Sequence, residues 1–168
     1  MDIPGSAYLY TVAVLGMTFI GFSAIVMMLR QTLGLTLRPF DILIAHIYME
    51  FGLIISVGAL LPPLFAAWGL PAPRVWQLSS ALLGVPLLLI GLTYPARRRA
   101  ASDEAMPWYT RLNIAVLIVI GIGFLTNASG LMHERVGPIF LTALTAFMTF
   151  AVATWLRALS IMFLKTPH

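Results

Sequence analysis

The chain has no cysteine and little charge: among 168 residues there are 10 Lys or Arg, 6 Asp or Glu and 3 His. Without cysteine there is no disulfide framework, no thiolate metal site and no cysteine nucleophile. Charged residues make up 10% of the chain, where soluble domains average about 25%, and this excludes an ordinary water-soluble fold. Walker loops, dinucleotide fingerprints, HExxH and GxSxG are all missing, so no catalytic motif points to an enzyme and none is expected. No cofactor is expected either. The opening residues MDIPGSAYLY contain neither Lys nor Arg, so the first apolar segment lacks the basic n-region of a cleavable signal peptide and reads as a retained anchor.

What is present is apolar residues, 60% of the chain, with a mean hydropathy of +0.95. They fall into five runs, at residues 8–28, 41–65, 75–94, 112–131 and 138–163, each near the ~20 residues that a helix rising ~1.5 Å per residue needs to cross ~30 Å of hydrocarbon. The runs are too long and too continuous for membrane strands. The fold class is therefore all-α: a single transmembrane domain over residues 1–168, a polytopic bundle of five spans. Pro62 and Pro63 mark a point where the second span could end, at Leu61, because neither can donate a helical hydrogen bond.

A net charge of +4 on a soluble protein would suggest a nucleic-acid partner, but these arginines punctuate apolar runs and no nucleic acid is expected. Five spans place Arg30, Arg38, Arg97, Arg98, Arg99, Arg111, Arg157 and Lys165 on one side, and Arg74 and Arg135 on the other. The positive-inside rule then puts the N-terminus outside and the C-terminus in the cytoplasm. The expected setting is the bilayer of a bacterial inner membrane, crossed several times.

Helical angles of ~100° per residue suggest which faces meet protein. The second span aligns Asp41, Ala45, Gly52, Ser56 and Ala59; the fourth places Asn113 and Asn127 on one side with Ile120 and Phe124 between them. In the fifth, Thr142, Thr145, Ala146, Thr149, Ala153, Arg157 and Ser160 form a small and polar stripe that is expected to face the bundle, since small residues let membrane helices approach and hydroxyls bond across the contact. The third span has little polarity after Ser80 and is expected on the lipid-facing rim, kinked at Pro86.

The candidate site lies in the second span. His46 and Glu50, four residues apart, share a helix face at depths of ~7–8 Å and ~13–14 Å from Asp41. A carboxylate there costs at least ~2.5 kcal/mol unless it is paired, protonated or turned into the bundle. Arg157 enters the fifth span at a similar depth, so a Glu50–Arg157 ion pair supported by His46 or the Thr149 hydroxyl is expected, within a polar cluster that includes Asp41. The same pair of residues could instead carry protons, a Glu of raised pKa beside a His near neutrality. A metal is not expected: His46 and Glu50 lack a third ligand at that depth, and His133, on the opposite side, excludes a bis-histidine haem. His133, Glu134 and Arg135 form a weaker charged cluster at the outer surface. The leading expectation is a non-enzymatic accessory, assembly or sensory membrane component. The alternative is a proton-linked small transporter or channel, oligomeric or joined to a membrane-protein partner because five helices leave little room for a substrate path.

Overall fold

The computed structural model describes residues 5–34, 38–131 and 135–164, without the side chains of residues 161–164. Among the described residues there are five α-helices and no strand: α1 Ser6–Thr32, α2 Pro39–Ala67, α3 Ala72–Ala101, α4 Trp108–Ala128 and α5 Val136–Leu164. All five are long and apolar enough to cross a membrane, and the protein is a multi-pass membrane protein.

Four of the helices run beyond the apolar runs that announce them. α3 is the extreme case, with 30 residues, about 45 Å at 1.5 Å per residue. Its last two turns carry Arg97, Arg98 and Arg99 on the helix, where side-chain direction is fixed, instead of in a loop. Nor do Pro62 and Pro63 end α2, which continues to Ala67; a membrane helix tolerates proline when neighbouring helices support the freed carbonyls. The end comes at Gly69, whose φ of +77° favours a residue without Cβ. There the amides of Gly69 and Leu70 bond the carbonyls of Ala66 (2.9 Å) and Phe65 (3.3 Å), closing the last turn.

The helices pack as two hairpins, α1 on α2 and α3 on α4, with α5 laid across α2, α3 and α4. The α1–α2 contact is a close approach of backbones: a Cβ on Gly52 would lie 2.9 Å from the carbonyl oxygen of Gly16 and 2.5 Å from Ile20 Cγ1. Ser56 Oγ closes it by donating to Ala13 O at 3.0 Å across the interface. As expected, Asp41, Ala45, Gly52, Ser56 and Ala59 are all buried. α4 contributes Phe124 and Asn127 to the interior; the amide of Asn127 donates to Ser80 Oγ (2.8 Å) and Val136 O (3.0 Å).

Two expected faces are reversed. α3 is no rim helix: 50% of its most apolar stretch is buried, against 22% in α4, and Gly84 and Gly91 sit against Leu125 and Ile118 of α4. An apolar face means little where lipid and protein interior are equally apolar, and small residues are the better sign of contact. The stripe on α5 faces outward, with Thr142, Thr145, Ala146, Thr149, Ala153, Arg157 and Ser160 all exposed. Its hydroxyls bond carbonyls of their own helix, Thr142 to Pro138 O, Thr145 to Leu141 O and Thr149 to Thr145 O, so the stripe needs no place in the interior; at the surface Thr145 also meets the Tyr8 hydroxyl of α1. The buried face of α5 is Phe140, Leu144, Phe147 and Ala151, whose rings meet Trp76, Phe124 and Phe51 edge-on or tilted at 5.4–5.7 Å.

Candidate functional site

Glu50 does meet an arginine, but it is Arg97 and not Arg157. Its two oxygens accept from Arg97 Nη1 at 2.9 Å and Nη2 at 2.7 Å, a bidentate pair joining α2 to α3. Direction explains the reach. Side chains lean toward the N-terminus of their helix, so Arg97, near the C-terminal end of α3, leans into the bilayer while Glu50 on antiparallel α2 leans out toward it. The pair lies at the bundle surface, with the two side chains 32% and 37% exposed.

The other members of the expected cluster lie elsewhere. His46 is exposed, on an outward arc of α2 with Ile42, Leu53 and Val57. Thr149 is exposed and bonds Thr145 O. Arg157 is exposed and holds its guanidinium 4.2 Å above the Tyr109 ring of α4, a cation–π contact in place of an ion pair. Asp41 pairs with Arg30, Oδ2 to Nη1 at 3.0 Å with both residues buried, and its Oδ2 also accepts the Arg38 amide at 3.3 Å. A carboxylate in the first turn of α2 thus satisfies a free helix N–H and fastens the end of α1 to the start of α2.

Arg30, Arg38, Asp41 and Arg157 border something the sequence did not reveal. At the end of the bundle where α1, α3 and α5 finish and α2 and α4 begin, a cavity of about 780 Å³ is lined by side chains from all five helices. That is within the roughly 300–1,000 Å³ of small-ligand sites. Asp41 and Arg157 line it, whereas His46, Glu50 and Thr149 do not. Its mouth carries Arg30, Arg38, Arg98 and Arg157 with Asp41 and Glu104; its inner wall carries Ile47, Phe51, Ile90, Leu117 and Phe150, with Tyr48, Tyr94, Asn113 and Thr154 among them.

Arg98 stands out within this lining. It is 5% exposed, packs its guanidinium 4.9 Å from the Phe40 ring, and its Nε has no hydrogen-bond partner. Arg30 Nη1 lies beside Asp41 without a directed hydrogen bond. The signal for Arg98 was present in the sequence, since four residues separate it from Tyr94 on one face of α3. Reading Arg97, Arg98 and Arg99 together as a topology marker hid it.

At the opposite end, Arg135 is exposed, while His133 and Glu134 lie outside the described residues. Asn127 and Ser129 form a glycosylation pattern, N-A-S, but Asn127 is 3% exposed with its amide engaged, and a modifying enzyme needs it at the surface.

Fold and site together define a class: a small five-helix membrane bundle with a one-ended, arginine-rimmed amphipathic cavity. Comparisons with protein-family models, curated proteins and solved structures return no match to the chain.

Proposed function

We propose that the protein is a non-enzymatic sensory or accessory component of a bacterial inner membrane, with its N-terminus outside and C-terminus in the cytoplasm, whose working part is the cavity as a ligand site. The observation that carries this reading is the cavity itself, walled by Ile47, Phe51, Ile90, Leu117 and Phe150 and rimmed by four arginines. An apolar pocket with a few convergent polar groups is the usual form of a small-ligand site. Proton-linked transport is favoured less, because its carrier, Glu50, is held in a bidentate pair and does not line the cavity.

The test fills the cavity. Ile114 lines it and is half-buried, so Ile114→Trp adds bulk into open space. Native mass spectrometry of protein purified in mild detergent should find a small molecule retained by wild type and lost from Ile114→Trp, with the melting temperature little changed. Equal retention by both would refute the reading, as would a wild type that neither retains a ligand nor binds an added one.

A further inference from the structure

We infer that the cavity takes an anionic amphiphile: an acidic head, carboxylate or phosphate, held at Arg98, and an acyl chain laid along the inner wall. This assignment rests on the reading of the cavity as a ligand site and names the chemistry of its occupant.

The argument for charge starts at Arg98. A guanidinium removed from water is costly unless a counter-charge accompanies it. Asp41 is engaged by Arg30 and Glu50 by Arg97, and among the described residues no carboxylate forms an ion pair with Arg98. What Arg98 has is an aromatic face on one side, the neutral hydroxyl of Tyr94 one turn away and an Nε without a partner, at the wall of an open cavity. Four arginines there face two carboxylates, so the mouth carries uncompensated positive charge. Guanidinium groups match carboxylate and phosphate oxygens in geometry as well as charge.

The argument for a chain lies in the depth. Phe40 marks the level of Arg98 and Phe51 lines the cavity on the same helix, eleven residues further in, or about 16 Å at 1.5 Å per residue. Along that distance Ile44, Ile47, Ile90 and Leu117 line the wall beside Tyr48, Tyr94, Asn113 and Thr154, and a small hydrophilic anion would leave the aliphatic part unused. Burial of alkyl surface adds about 0.8 kcal/mol per CH₂, so a chain is the part of the ligand that this wall recognises. An amphiphile of the adjoining leaflet already presents its head at the level of the arginines and its chain toward the bilayer centre.

The experiment uses the full-length protein in mild non-ionic detergent, titrated separately with oleate, oleoyl lysophosphatidate and neutral monooleoylglycerol, with bound masses counted by native mass spectrometry. Both anions should bind at least about tenfold more tightly than the neutral lipid, the scale of a charged hydrogen bond. The tighter of the two names the head, fatty acid or phospholipid derivative. Arg98→Gln should abolish the preference for anions and leave binding of the neutral probe unchanged. Since Arg98 is buried and packed on Phe40, Arg38→Gln, an exposed rim substitution, accompanies it and should weaken the anions alone. Equal affinity for all three probes in wild type overturns the inference without recourse to any variant, as does a preference that survives Arg98→Gln. Should the ligand displaced by Ile114→Trp prove to be neutral, this inference falls and the cavity reading stands; if wild type retains no ligand and none of the three probes binds, both fall.

Discussion

A charged side chain in hydrocarbon has few ways to exist, and Glu50 uses the most direct one. Its bidentate contact with Arg97 replaces two isolated charges with a neutral pair, and the cost of breaking it falls on whichever member is left behind. Glu50→Gln and Arg97→Gln should each destabilise the bundle by about 1–2 kcal/mol, below the figure for a fully buried pair because both side chains are partly exposed. The double variant should recover most of that loss. Unfolding in a graded detergent mixture measures the cycle, and a coupling near zero would show that the pair contributes nothing. Arg157→Gln, by contrast, should leave Glu50 undisturbed, since Arg157 rests on Tyr109.

Between helices, contact is decided by the absence of side chains more than by their nature. Lipid is as apolar as leucine, so association depends on close packing and on hydrogen bonds across the interface. The α1–α2 hairpin depends on Gly16 and Gly52, each of which would place a Cβ within 3.0 Å of the other's carbonyl oxygen. A backbone atom cannot move aside as a flexible side chain can. Gly52→Ala is therefore expected to separate α1 from α2 and cost about 1–3 kcal/mol, in the range of overpacked cores, while Gly123→Ala, where an added Cβ meets nothing within 4 Å, should be nearly silent. The two melting temperatures, compared in the same detergent, check this; similar shifts would contradict it. The same logic accounts for the reversal of α5, whose threonines bond carbonyls of their own helix, with Thr145 also reaching Tyr8 of α1 at the surface, and leave its phenylalanines to make the buried contact.

For the molecule as a whole, the asymmetry of basic residues and the position of the cavity coincide. Arg30, Arg38, Arg98 and Arg157 were counted as orientation signals, and all four line the cavity mouth. Orientation thus fixes which leaflet the cavity serves. A C-terminal green fluorescent protein fusion should be bright and the corresponding alkaline phosphatase fusion inactive; the reverse pattern would place the cavity on the outer side and refute the orientation drawn from the arginines.

Length and hydropathy alone determined the class, the number of helices and their approximate places, because a continuous apolar run of about 20 residues can satisfy its backbone in a bilayer only as a helix. The glycine and serine face of α2 was legible for a related reason: close approach needs small residues wherever it happens. Partners were not legible. Arg97 and Arg157 have the same chemistry and both sit on helices antiparallel to α2, and only the packing of α3 against the Glu50 face, with Arg157 turned to Tyr109 of α4, chose between them. The cavity has no local signature at all, since its wall is assembled from residues on five helices that are unremarkable one at a time. Its existence is a consequence of how the helix ends fail to fill the space between them, which only the tertiary structure decides.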